Sequence, residues 1–301
     1  MKILHIDTGR GMRGGQIQVM LLLRALQQAG HACTLLARQR SPLWHAAQAA
    51  NVPTFAAGLA SLWRKSKAFD IVHAHDAQGH TMAAIASRRP FVVSRRVAFP
   101  VNRSLASKWK YRRASRYLAV SEFVGRELSS AGIPADKIDL VYDAVEIEQQ
   151  APPWDATRPA VALATSDARK GRTLVERAAH MAGVPVLFST DLKRDLLNAS
   201  TFVYISQSEG LGSAALLAMG MGVPVIASRV EGLAEVFEHN LSGLYVANQA
   251  EQIARAMRTV RDNPALAATL IAGGKVRVQE RFSSERLVEA TLKSYERVLG
   301  G

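Results

Sequence analysis

Short apolar runs alternate along the chain with longer stretches whose apolar positions recur every three or four residues. Lys2–Asp7 is such a run. Gln16–Ala29 then sets Ile17, Met20, Leu21, Leu23 and Leu26 at helical spacing and stops at Gly30, and His31–Ala37 is the next run. Strand, helix, strand is the crossover unit of a parallel sheet. The alternation continues with helices expected at Pro42–Ala50, Ser61–Phe69, Arg103–Tyr117 and Ser121–Ala131, and strands at Pro53–Phe55, Asp70–Asp76, Phe91–Ser94 and Tyr117–Val120. Residues 149–159 (QQAPPWDATRP) are proline-rich and polar, the best linker in the chain. Beyond it, strands are expected at Val161–Thr165, Val184–Ser189, Thr201–Ile205 and Val223–Ala227. Helices are expected at Thr173–Ala182, Asp191–Ala199, Ala214–Met219, Gln249–Arg261, Ala265–Arg281 and Ser284–Leu299. The pattern predicts an α/β protein of two doubly wound domains, 1–148 and 160–283, joined by the linker 149–159 and closed by a helix within 284–301.

With 301 residues and 48% hydrophobic content, the chain can fill two modest cores. No apolar run reaches the ~18 residues of a membrane span, and MKILHIDTGRG at the start reads as a strand, not a signal peptide. The single cysteine, Cys33, excludes an internal disulfide and fits a reducing cytoplasm; its apolar neighbours make it a core residue. Charge changes the picture more. Of the net +13, residues 1–149 hold 21 lysines and arginines against 10 acids, and the remainder holds 17 against 15. A basic half expects an anionic partner: nucleic acid, an acidic lipid surface or a phosphorylated substrate. Arg103–Tyr117 concentrates this, with six cations around Trp109, Tyr111 and Tyr117. It reads as an interfacial helix for an anionic membrane, or as a helix that packs its aromatics inward and leaves its cations solvated. The chain has no helix-turn-helix, zinc-finger or RNP pattern, so nucleic acid is not the expected partner.

Candidate chemistry gathers in turns at the ends of strands. In Thr201–Ser228 a strand leads into Glu209-Gly210-Leu211-Gly212-Ser213 and then a helix, and backbone N–H groups at a helix start suit a phosphate. Glu209 would repel that phosphate and suits sugar hydroxyls beside it; the alternative is a surface turn whose glutamate complements the helix dipole. The first turn, Thr8–Gly15, lies where doubly wound sheets cradle phosphates. It is not a dinucleotide fingerprint, since the glycine spacing is unmet and Arg38 and Arg40 stand where an acid would close the second strand. His73, His75 and Asp76 end another strand; H-x-H lacks a third ligand, so no metal is expected. Arg95 and Arg96, at the next strand end, suit a phosphate or carboxylate, or form a solvated pair.

SEGLGSAALLAMGMGVPVIAS (208–228) resembles the donor-site segment of the GT-B glycosyltransferases of family 4, E-G-x-G-x-x-x-x-E-A-M-x-x-G-x-P-V-I/V-A-S. Glu209, Gly210, Gly212, Ala218, Met219, Gly222, Pro224, Val225, Ala227 and Ser228 match, and Leu217 stands where the ribose-holding second glutamate belongs. DIVHAHD (70–76) resembles the family's D-V-V-H-x-H. AVSEFVGRELSSAGIPADKIDLVYDAVEI (119–147) resembles the stretch that closes its first domain. Lys170-Gly171 match G-R-L-x-x-x-K-G, in which Thr165 replaces the arginine. Glu231–Val236 and Ser242–Val246 resemble G-G-x-x-E-I/V and t-G-L-L-V. One β-α unit of the family between Lys170 and Glu209 is missing.

The resemblance implies two Rossmann-like domains facing across a cleft, with the C-terminal helix crossing back to the first. It implies retaining transfer from a nucleotide-sugar, with no cofactor and no metal, to a lipid-linked or lipopolysaccharide-type acceptor. The location expected is the cytoplasm, at the inner membrane face, docked through Arg103–Tyr117. His75, Glu209 and Lys170 inherit catalytic roles. Gly14, Gly15, Gly210, Leu211, Gly212, Ser213 and Leu217 fall on donor-binding positions, and Arg169 supplies from the turn a cation for the donor that Thr165 does not. Arg10, Arg95 and Arg96 are read from their charge as candidates for an anion or the acceptor. Leu217 and Thr165 also fit a non-catalytic scaffold in envelope-glycan assembly; a GT-B epimerase is a third reading.

Overall fold

A computed structural model describes residues 1–102 and 104–300, so Arg103, the first residue of the expected basic helix, lies outside the described residues. The chain divides into two units, Met1–Asp143 with Ser284–Gly301, and Ala144–Ser283.

The first unit is built on seven parallel strands: β1 (Lys2–Asp7), β2 (Ala32–Ala37), β3 (Thr54–Ala56), β4 (Ile71–Ala74), β5 (Phe91–Arg95), β6 (Arg116–Ala119) and β7 (Ile138–Leu140), in the order β3-β2-β1-β4-β5-β6-β7. Helices cover both faces, so the central strands read as unbroken apolar runs, and Ile3, Leu4, Ile6, Ile71 and Val72 are fully buried. Right-handed crossovers put α1 (Gly14–Gln28) and α2 (Pro42–Ala49) on one face of the sheet. They put α3 (Leu59–Ser66), α4 (Ala77–Ala86), α5 (Leu105–Arg113) and α6 (Glu122–Ser130) on the other. The last helix, α12 (Ser284–Leu299), packs against α1, β6 and β7, and Asp139 of β7 receives Arg116, Ser294 and Arg297. α4 has no counterpart in the sequence reading. It buries Gly79, His80, Met82, Ala83, Ala84 and Ala86, which leaves no polar face to mark a helical period. The basic stretch is also shorter than expected: α5 stops at Arg113, and Tyr117 belongs to β6.

The second unit holds five parallel strands: β8 (Ala160–Leu163), β9 (Val186–Ser189), β10 (Thr201–Tyr204), β11 (Val225–Ser228) and β12 (Leu244–Val246), in the order β12-β11-β10-β8-β9. Its helices are α7 (Arg172–Ala182), α8 (Leu192–Leu196), α9 (Ser213–Gly220), α10 (Ala250–Asp262) and α11 (Pro264–Arg281). Val175, Val203, Ile226, Ile253 and Met257 are among the residues of its core. The 149–159 stretch is held on this unit: Trp154 packs on that core and donates its indole N–H to Ser200 O at 2.7 Å. Just before it, Val145 N–H reaches Phe282 O and Glu148 N–H reaches Gly220 O, each at 2.9 Å.

Candidate functional site

Open doubly wound sheets form their ligand crevices where the winding reverses, at the carboxyl ends of the strands. In the second unit that point lies between β8 and β10, and two loops meet there. The turn after β8 ends in Gly171, whose φ is +61° and whose Cβ, if present, would lie 2.4 Å from Ile205 Cγ2. Only glycine lets this turn close on the end of β10. The closure delivers Lys170 to Glu209, and their ammonium and carboxylate form a short ion pair, the side chains 26% and 11% exposed. Tyr204, the last residue of β10, is buried beneath them. Burial first, then the Glu209 charge and a hydrogen bond to that carboxylate, hold its phenol well above the ordinary range. It therefore stays a neutral donor to Glu209, with the Lys170 ammonium 5.5 Å above its ring.

Beyond Glu209, Gly210 and Leu211 are buried, Gly212 takes a φ of +110°, and α9 starts at Ser213, bringing a positive dipole end to the carboxylate–ammonium pair. Gly232, from the loop after β11, is pressed so close that a Cβ would lie 2.2 Å from Gly210 O. Leu217 is half-buried one turn along α9 and presents apolar surface there. Arg169 is turned elsewhere: its guanidinium forks onto Asp167 at 3.0 and 2.7 Å, which pulls that carboxyl down to about 2. Thr165 Oγ1 accepts the Asp167 N–H at 3.1 Å.

In the first unit the reversal lies between β1 and β4. His75 and Asp76 follow β4 directly. Asp76 caps α4, accepting Gly79 N–H at 2.6 Å, and also takes Thr8 N–H at 2.9 Å and the Thr8 hydroxyl. Asp7, at the end of β1, accepts Gly9 N–H at 2.9 Å and both of its oxygens accept Gln16 Nε2 at 3.1 Å. Burial raises its carboxyl, the Gly9 N–H opposes this, and Asp76 raises it further. His75 is buried, with Nε2 2.9 Å from His5 Nδ1 and its ring 3.9 Å from the His73 ring. His73 is sealed rather than open to a crevice: Nδ1 meets the Tyr295 hydroxyl of α12 at 2.7 Å and Nε2 meets Ser94 Oγ at 2.8 Å. His5 is the third histidine that the H-x-H pattern alone did not supply, and ring nitrogens of the three lie within 4.8 Å of one another. Only His5 and His75 bond each other, while both nitrogens of His73 are engaged by Tyr295 and Ser94. Burial brings His5 down to about 3 and holds His73 and His75 well below the usual imidazole value, so all three are neutral. His5 Nε2 and His75 Nδ1 are buried without a hydrogen-bond partner among the described residues.

The remaining expected residues are scattered around this end of the sheet. Gly14 and Gly15 open α1 with clear space where a Cβ would stand, and Arg10 is exposed on the turn before it. Arg95 spends its guanidinium on the Tyr111 hydroxyl at 2.9 Å and on Phe99 O; Arg96 pairs with Asp143 at 2.9 Å. On α5, Leu105 and Trp109 are exposed, while Tyr111 stacks on buried Tyr117. His5, Asp7, Tyr204 and Tyr295 were not marked by the sequence. His5 and Asp7 sit inside an ordinary strand run, and the partners of Tyr204 and Tyr295 come from other elements.

Two family models cover most of the chain. Glycosyltransferase Family 4 matches residues 12–149, and Glycosyl transferases group 1 matches residues 179–277. The chain belongs to the family 4 glycosyltransferases. It is 38% identical over 97 residues to the lipopolysaccharide core biosynthesis glycosyltransferase LpsD of Rhizobium meliloti (strain 1021), covering 32% of this chain and 28% of that one. It is 32% identical over 113 residues to the human alpha-1,3/1,6-mannosyltransferase ALG2, covering 37% and 27%. The matches thus span little more than a quarter of either relative's length. Anabaena Alr3699/HepE, solved in complex with UDP, has the same fold, with a TM-score of 0.85 at 15% identity over 99% of this chain and 100% of that chain. This family 4 member therefore has the GT-B fold, with five strands in its second sheet and an apolar side chain at Leu217.

Proposed function

We propose that the protein is a retaining glycosyltransferase that moves a sugar from a nucleotide-sugar to a lipid-linked or lipopolysaccharide-type acceptor at the cytoplasmic membrane face. The observation that carries this is the Lys170–Glu209 pair at the β8/β10 reversal, beside the start of α9. A nucleoside diphosphate leaves with growing negative charge on the oxygen it takes, so the barrier falls where fixed donors await that charge. The Lys170 ammonium and the Gly210–Ser213 amides supply them, and no metal is assigned a role. Glu209, which lies over the neutral Tyr204 phenol, accepts hydrogen bonds from donor-sugar hydroxyls. His75 is the first unit's candidate for contact with a sugar. A UDP-glucose complex of HepE and the naming of LpsD for lipopolysaccharide core synthesis support the donor and acceptor classes.

α5 is the proposed contact with an anionic membrane, through exposed Leu105 and Trp109 among Lys108, Lys110, Arg112 and Arg113. Among the described residues no helix is long and apolar enough to cross a membrane. Leu217 and Thr165 favour a second reading, a non-catalytic partner in envelope-glycan assembly. Incubating the protein with a panel of nucleotide-sugars and a lipid extract separates the two. Release of nucleotide that depends on both the extract and Glu209 is expected; no consumption of any donor would leave the scaffold.

A further inference from the structure

Residues 8–121 carry 18 lysines and arginines against two acids, Asp70 and Asp76. Within that stretch the face of the sheet that bears α3, α4 and α5 also exposes large apolar side chains. α3 and α4 pack side by side and enclose a groove of about 470 Å³ lined by Leu59, Ala60, Trp63, Arg64, Ile85 and Ala86. Trp63 is 53% exposed and Ile85 55%, with Leu59 and Phe55 also open. Cations stand on the aromatic rings. The Lys65 ammonium lies 3.3 Å over Phe55, and the Arg88 guanidinium 4.7 Å over Trp63. On its other side α4 meets α5, where His80 Nε2 contacts Lys110 O at 3.3 Å.

An apolar groove with a tryptophan at its mouth and a rim of cations has the chemistry of the bilayer interface. The indole sits at headgroup depth and the long cationic stems reach the phosphates. A second copy of this chain fits poorly, because the rims would set like charges against each other, whereas anionic headgroups neutralise them. We propose that the α3–α4 groove is a docking surface for an anionic lipid bilayer, with Trp63 as its anchor. The inference rests on the membrane-facing part of the reading above and adds a second contact to α5; it does not depend on the chemistry assigned to Lys170 and Glu209.

The test is flotation of the full chain with vesicles of phosphatidylglycerol and phosphatidylcholine, against phosphatidylcholine alone, with brominated lipid as a fluorescence quencher. The wild type is expected to float with the anionic vesicles only. The double variant Trp63→Ser, Ile85→Ser, whose sites are exposed, should keep the wild-type melting curve and bind about tenfold more weakly. Trp63→Phe should lose part of the quenching. Undiminished flotation of the double variant, or quenching unchanged in Trp63→Phe, overturns the proposal. So does a dimer in sedimentation that depends on Trp63, which would assign the groove to a second copy. Loss of flotation only on neutralising α5 overturns it while leaving the α5 contact standing. Donor consumption by the double variant in detergent reports separately on sugar transfer.

Discussion

Glu209 and Lys170 neutralise one another across two loops, so a diphosphate arriving at this pocket competes with the carboxylate for the ammonium. Removing each residue therefore has a different signature. Glu209→Ala is expected to lower transfer by about a hundredfold or more, with nucleotide affinity unchanged or higher, because the lysine is released. Steady-state transfer and nucleotide titration on the same preparation check this, and undiminished turnover would remove Glu209 from the site. Both residues were marked in the sequence, Glu209 by the glycine turn that opens a helix and Lys170 by the Lys170-Gly171 match to the family pattern. Tyr204 was not legible. It reads as one more β-former, and only the meeting of β10 with the following turn places its phenol beside the Glu209 charge. Spacing also does not reveal that Arg169 and Arg96, marked as cations for a ligand, pair with Asp167 and Asp143. Arg96 keeps one buried guanidinium nitrogen without a hydrogen-bond partner among the described residues, and Arg169 still feels the Glu209 charge.

Among the elements, the turn between β8 and α7 is the most constrained. Gly171 combines a left-handed backbone with no room for a Cβ against Ile205. Gly171→Ala is expected to destabilise the second unit by about 1–3 kcal/mol and to displace Lys170. Urea unfolding measures the first and nucleotide titration the second; a wild-type result in both would mean the turn does not set the pocket. Most strands, and the amphipathic helices with one buried stripe, were read nearly to their ends, α12 included, where Leu287, Val288, Thr291 and Tyr295 form that stripe. β7 and β12, short strands at the sheet edges, were not marked as strands. α4 escaped because small and apolar residues occupy both its buried side and, at Ala77 and Ile85, its exposed one, so no polar stripe marks a helical period. α5 was drawn too long because Tyr117 continues the aromatic pattern of the helix into β6.

At the scale of the whole molecule the two units should answer differently to acid. His5, His73, His75 and His80 are all buried in the first unit and held neutral chiefly by burial, His5 and His80 down to about 3. In the unfolded chain each titrates near 6.5. Stability is therefore complete above about pH 6.5 and is lost as pH falls below it, by up to about 1.4 kcal/mol per pH unit for each histidine. Calorimetry at about pH 7.5 and about pH 5 should show the first unit's transition moving down in temperature and the second unit's staying nearly fixed. Equal shifts would contradict the assignment. Charge asymmetry and two-domain organisation were visible in composition and periodicity, but the histidine cluster was not, since it joins β1, β4, β5 and α12 over a separation of up to 222 residues. Under the proposed function one pocket, at the end of β8 and β10, receives a nucleoside diphosphate. Calorimetric titration with UDP, GDP and ADP, on the wild type and on Lys170→Ala, tests it most directly. Saturable binding of at least one nucleotide, weakened about tenfold in the variant, is the predicted result; no binding of any of the three, or equal binding by both proteins, would contradict it.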